Sequence, residues 1–119
     1  MGFEGLWWFQ TTSVQNPGAF QMGGVVVLET GRVLGGDSVY SYVGDYEVQG
    51  KEFVAHVRVK TWNTEVEAQN VFGMTGPVDY AVEVRGVRNE DIVEGQLNRA
   101  DAPDFKLPAR MVFIEKLPG

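Results

Sequence analysis

Apolar and polar residues alternate with a period of two along most of this chain. In KEFVAHVRVKT (51–61), Phe53, Ala55, Val57 and Val59 share one parity, and Glu52, His56, Arg58 and Lys60 share the other. In VDYAVEVRG (78–86), Val78, Tyr80, Val82 and Val84 stand against Asp79, Glu83 and Arg85. Side chains on a strand point alternately to opposite faces, so this is the pattern of strands with one wet face. No stretch of similar length follows the 3.6-residue period of a helix.

Turn-forming residues separate the alternating runs. Thr30-Gly31, Gln49-Gly50 and Arg88-Asn89-Glu90-Asp91 predict tight hairpins. Strands are expected over 4–13, 20–29, 32–35, 38–48, 51–61, 78–87, 91–98 and 108–117. Residues 63–77 form one long irregular connection, with at most a short helical turn in 64–72. Residues 99–106, interrupted by Pro103, read as a second loop, and Pro108 falls at a strand start where its missing N–H does least harm. Eight strands joined mostly by short hairpins predict an all-β fold, a single antiparallel up-and-down eight-stranded barrel spanning 1–119. Closure would remove both sheet edges, and fifteen glycines suit the bends of a small barrel. A sandwich is the alternative.

Composition narrows the class. At 119 residues, 44% hydrophobic and 12% aromatic, the chain has enough apolar mass for one core. The absence of cysteine removes disulfides and thiolate metal sites. A formal charge of −6, with the ten basic residues scattered singly, disfavours nucleic acid, whose affinity comes from clustered Lys and Arg. The start MGFEGLWWFQ has no basic region or apolar run of a signal peptide, and Leu6 stands where a myristoylation signal needs Ser or Thr. No segment approaches the ~20 apolar residues of a membrane helix. A cytoplasmic protein without membrane contact is expected.

The most distinctive stretch is GGDSVYSYVGDY (35–46). Gly36-Asp37-Ser38 has the look of an activated serine, yet it lacks the Gly-x-Ser-x-Gly elbow and runs straight into a strand. A hydrolase would have to use Ser38 with His56, the only histidine, and this is kept as a remote alternative. The expectation is structural: Gly35, Gly36 and Asp37 turn the chain, with Asp37 capping the backbone. His56 falls on the polar parity, and no metal-ligand spacing or cofactor motif accompanies it. No catalytic residue, metal or cofactor is therefore expected.

The aromatic residues are more informative. Tyr40, Tyr42 and Tyr46 share one parity, and if that face points inward each hydroxyl needs a partner. Together with Trp7, Phe53 and Tyr80 they form either a hydrogen-bonded core or the wall of a pocket. Trp7 and Trp8 are adjacent and must face opposite ways. Parity with Gly5 and Phe9 puts Trp7 inside and Trp8 outside. In 108–117, Met111 and Phe113 alternate with Val112 and Ile114, so apolar side chains occupy both faces. Trp8, Val112 and Ile114 thus mark a candidate surface for a dimer or protein partner.

FEGLW (3–7) followed by GGVVVLETGRVLGGDSVYSYVGDYEVQG (23–50) resembles the GrlR family, negative regulators of type III secretion in proteobacteria. The most specific match is Gly35-Gly36-Asp37-Ser38 with Tyr40, Tyr42, Gly44 and Tyr46. The resemblance implies a lipocalin-like eight-stranded barrel, a homodimer, and regulation by protein binding without enzymatic chemistry. The family's acidic Glu-Asp-Glu-Asp loop has Glu47-Val48-Gln49-Gly50-Lys51-Glu52 as its counterpart here, which lacks the tetrad, so the partner itself is not implied. The leading expectation is a non-enzymatic, homodimeric binding protein with a protein partner. The alternative is a lipocalin-like carrier of a small apolar or amphipathic ligand.

Overall fold

In the computed structural model, which describes residues 2–20 and 22–119, eight strands follow one another around a closed antiparallel barrel. They are β1 (Gly5–Thr11), β2 (Met22–Glu29), β3 (Arg32–Gly36), β4 (Tyr40–Gln49), β5 (Glu52–Thr61), β6 (Asp79–Asn89), β7 (Ile92–Arg99) and β8 (Ala102–Glu115). Each strand pairs with the next in sequence, and β8 returns to β1 through Trp7↔Phe113, Trp8↔Val112 and Phe9↔Met111. The ring of strands is closed, as in an up-and-down barrel, and only the start of β8, before Ala109, lacks a partner on its β1 side. Met1 of the Met-Gly start and Gln21 of the expected strand 20–29 lie outside the described residues. Among the described residues, no helix is long and apolar enough to cross a membrane.

The two ends of the barrel differ. At one end three two-residue loops close the hairpins: Thr30-Gly31, Gly50-Lys51 and Glu90-Asp91. Thr30 and Gly31 both have positive φ (51° and 75°), the backbone of a type I′ turn, whose twist matches that of the strands. At the other end lie the β3–β4 turn and the two long connections, 12–21 and 62–78. Those connections meet where Val14 N–H donates to the Val71 carbonyl at 2.9 Å.

Inward parity builds one continuous core that includes Trp7, Leu28, Phe53, Val57, Val82, Leu97 and Met111. Outside, the wall is two-sided. Across β4, β5 and β6 it carries ion pairs, among them Arg58 with Asp79 and Glu83 with Arg85, and His56 Nε2 lies within hydrogen-bond distance of Glu83. Across β8, β1 and β2 it carries an apolar row, Val112, Trp8 and Val25 paired side by side, next to the Arg110–Gln10 hydrogen bond.

Two local expectations are corrected, and a third, at most a short helical turn in 64–72, holds. Residues 99–106 are not a loop: β8 begins at Ala102, after a tight turn and a bulge between Asn98 and Arg99. Pro103 is tolerated because β1 pairs with β8 only as far as Ala109, so this part of β8 has a free flank where a missing N–H loses no ladder bond. The span 64–72 contains no helical turn and instead forms turns closed by the bridge Gln69↔Thr75. Gly35 and Gly36 lie inside β3 and not in the turn, which spans 37–39. A Cβ on Gly35 would stand 2.1 Å from the Val25 carbonyl oxygen, so its role is close approach between strands.

Candidate functional site

The aromatic side chains divide between the two ends of the barrel. At the hairpin end, Phe3 stacks on Phe53 with ring centres 5.8 Å apart, Tyr46 stacks on Phe53 at 5.7 Å, and Trp7 meets Phe113 edge-on at 5.3 Å. The Arg88 guanidinium lies over the rings of Phe3 and Trp7. Trp7 is fully buried and donates its indole N–H to the Phe3 carbonyl at 2.8 Å. This end is a solid plug.

Above the plug, toward the long connections, the barrel holds a cavity of about 280 Å³. Its wall is mostly apolar, including Val57, Val59, Val82, Val84, Leu97 and Met111. Tyr40, Tyr42, Tyr80, Asp37 and Asn70 add the polar groups. Ser38 and Gln69 also line the cavity and are exposed, which marks where it reaches the surface. Of the six aromatic residues expected to line a pocket or a core, Tyr40, Tyr42, Phe53 and Tyr80 border the cavity. Trp7 and Tyr46 belong to the plug alone.

Asp37 organises the polar end. Its Oδ1 accepts the N–H groups of Val39 at 2.8 Å and Tyr40 at 2.7 Å, and its Oδ2 accepts the phenolic proton of Tyr42. The aspartate therefore caps the turn, as Asx side chains do, and reaches into the cavity wall with its other oxygen. Trp62 and Asn63 pin the turn to the 62–78 connection, donating from Nε1 to the Asp37 carbonyl and from Nδ2 to the Ser38 carbonyl, each at 3.0 Å.

Asn70 plays the corresponding part on the facing connection. Its Oδ1 accepts from Phe72 N–H at 3.0 Å and Met74 N–H at 2.9 Å. Phe72 then packs edge-on against Tyr80 and Phe105 and holds the connection over the barrel mouth. Nothing in the period-two pattern signalled Asn70. The usable signal was an Asn three residues before a glycine, Asn70-Val71-Phe72-Gly73, in a loop long enough to need an internal anchor.

Burial raises the pKa of every tyrosine at the site. Tyr80 is pushed up to about 12 by burial and the nearby Tyr40, against an opposing pull from Asn70. Tyr42 is raised further, by burial and then by its hydrogen bond and charge interaction with Asp37. Burial, with Asp37 adding, also raises Tyr40. All three are neutral phenols around pH 7, able to donate and accept hydrogen bonds.

The remaining candidates fall outside the cavity. His56 sits on the outer wall, with Nε2 3.1 Å from Glu83 Oε2, while Ser38 is at the mouth. β4 starts at Tyr40 opposite Thr61, five rows from His56, which separates Ser38 and His56 by roughly 15 Å or more along the wall. The structure does not bring them together. Trp8 and Ile114 are exposed and Val112 is half-buried, all on the outer face. Among the described residues, no group of three or more acidic or histidine side chains could hold a metal ion. In comparisons with known proteins, no protein-family model and no curated protein matches the chain.

Proposed function

We propose that this protein is a non-enzymatic binding barrel whose interior takes a small ligand with an apolar body. The observation that carries the reading is the cavity beneath the tyrosines: about 280 Å³ of space with hydrocarbon walls and polar groups gathered at one end. Ligand sites combine apolar linings with a few convergent polar groups, and ~300 Å³ is their usual lower size. A barrel needing only a core would fill that space with side chains, as its other end does. Native mass spectrometry of gently purified protein tests the proposal, together with calorimetric titration using ethylbenzene as a minimal apolar probe. A retained small molecule, or saturable heat with the probe, is expected. A clean ligand-free mass with no probe binding would remove the reading.

A second reading, protein binding in the manner of the GrlR regulators, is favoured by the apolar outer sector around Trp8. Exposed Trp8 pairs there with exposed Val25 and half-buried Val112, and exposed Ile114 lies two residues further along β8. Apolar patches of this kind mark interaction surfaces. The two readings use opposite sides of the same wall, so one chain can serve both.

A further inference from the structure

Among the described residues, three buried side-chain atoms lack a hydrogen-bond partner: Thr12 Oγ1, Tyr40 Oη and Asn70 Nδ2. Two of these belong to residues that line the cavity. A buried polar atom without a partner is destabilising, and buried polar groups are nearly always satisfied. Tyr40 is 7% exposed and Asn70 2% exposed, so solvent does not relieve either residue at the surface. Both atoms are sealed from a molecule the size of water as the side chains stand, so a ligand reaches them only when Tyr40 and Asn70 shift slightly toward the cavity they line.

The hydrogen-bonding character of the two atoms is defined. Asn70 Oδ1 already accepts two backbone N–H groups, which fixes the amide orientation and turns its NH₂ toward the Tyr80 hydroxyl, whose pKa it lowers, without a hydrogen bond of ordinary geometry. The NH₂ group is a donor only. Tyr40 Oη is a neutral hydroxyl that can also donate. The two therefore call for an acceptor on the ligand.

Charge narrows the acceptor further. Among the described residues, no Lys, Arg or His lines the cavity, and its single charged side chain is that of Asp37. Arg99, whose charge reaches Tyr80, is engaged by the Asp101 carboxylate with N–O distances of 2.9 and 2.7 Å. A carboxylate ligand would enter a low-dielectric space with no counter-charge and with Asp37 repelling it. An ammonium head has no lone pair to accept from Asn70, and three donors already occupy the Asp37 oxygens. An uncharged carbonyl meets each of these conditions.

From this geometry we infer that the ligand is a small neutral carbonyl compound, its oxygen held by Tyr40 Oη and Asn70 Nδ2 and its hydrocarbon body lying against the valine wall. The inference rests on the ligand-binding reading above and names its chemistry. Size sets a limit as well. A cavity of ~150 Å³ holds one benzene, so this one, at about 280 Å³, suits a body of one or two rings or a medium chain and excludes long acyl chains.

Four probes that share one ring test the assignment by calorimetry or ligand-observed NMR at neutral pH: acetophenone, ethylbenzene, benzoate and benzylamine. Acetophenone should bind more tightly than ethylbenzene by about fivefold, the worth of one net hydrogen bond. Benzoate and benzylamine should bind at least tenfold more weakly than acetophenone, reflecting unpaired burial of charge. In Tyr40→Phe the acetophenone advantage over ethylbenzene should shrink at least threefold while ethylbenzene affinity holds, which also shows that the cavity is intact. Binding of ethylbenzene without preference for acetophenone, equal binding of either charged probe, or an unchanged preference in Tyr40→Phe overturns the carbonyl assignment and leaves the ligand-binding reading standing. Failure of all four probes to bind, together with a clean ligand-free native mass, removes both.

Discussion

Tyr42 donates its phenolic proton to Asp37 Oδ2 while the other oxygen of that carboxylate caps the β3–β4 turn through two backbone N–H groups. One carboxylate thus joins the barrel wall to the turn at its mouth. Asp37→Ala would orphan two N–H groups and a half-buried phenol together, and should lower stability by about 2–4 kcal/mol, since charged hydrogen bonds are worth ~1.5–3 kcal/mol each and act here as a network. Tyr42→Phe leaves the cap in place and should lose only about 1–2 kcal/mol. Urea unfolding of the two variants measures the difference. Equal losses would show that the cap and the phenol contact are not separable.

Alkaline pH should unfold the protein before its tyrosines ionise. All four tyrosines have a raised pKa, with burial the largest cause in each case. The folded state therefore keeps protons that the unfolded chain releases near the ordinary value of 10.0. Stability from this source is fully present below pH ~10 and is lost as pH rises through the folded values, that of Tyr80 being about 12. Each of the two cavity phenols Tyr42 and Tyr80 contributes a slope of up to about 1.4 kcal/mol per pH unit in that window. Tyrosinate absorbance and far-ultraviolet circular dichroism should change together. Ionisation of Tyr42 or Tyr80 near pH ~10 in an intact barrel would contradict the burial described.

Gly35→Ala should be more damaging than a change at an ordinary turn glycine. The new Cβ would lie 2.1 Å from the Val25 carbonyl oxygen and 2.8 Å from Val26 Cα, so β2 and β3 would have to separate. A loss of at least about 2 kcal/mol is expected, at the upper end for overpacking. Gly50→Ala meets nothing within 4 Å and carries only the strain of its positive φ, about 1 kcal/mol. Thermal unfolding of both variants separates close approach from turn conformation.

The same contrast explains how much of this molecule was legible beforehand. The strands were readable because alternation in 51–61 and 78–86 states parity directly, and parity also separated Trp7 from Trp8. The start of β8 is not legible in the sequence, because Pro103 marks a loop unless the strand has a free flank, and that flank is set only by how β8 pairs with β1. The tyrosine question had no answer in parity, since Tyr40, Tyr42 and Tyr46 share a face. What separates them is height in the barrel: Tyr46 sits among the plug aromatics, and Tyr40 and Tyr42 sit beside the empty space. Asn70 gave even less sign of itself, because its importance comes from contacts across a connection with no periodicity.

The outer face gives the last prediction. Trp8 is 38% exposed in the isolated chain, flanked by Val25 and Val112 on its paired strands. A homodimer built on this apolar sector would bury Trp8 and leave the charged side, with Arg58 paired to Asp79, in water. Trp8→Glu should then convert a dimer to a monomer in light scattering. A buried interface tryptophan is commonly worth ~2 kcal/mol or more, so the dissociation constant should rise by about thirtyfold. The fold itself should change little, because exposed substitutions usually shift stability by less than about 0.5 kcal/mol. Arg58→Glu, on the opposite side, should leave the mass unchanged. A monomeric native protein at high concentration, or a Trp8→Glu dimer of undiminished strength, would show that this apolar sector serves something other than self-association.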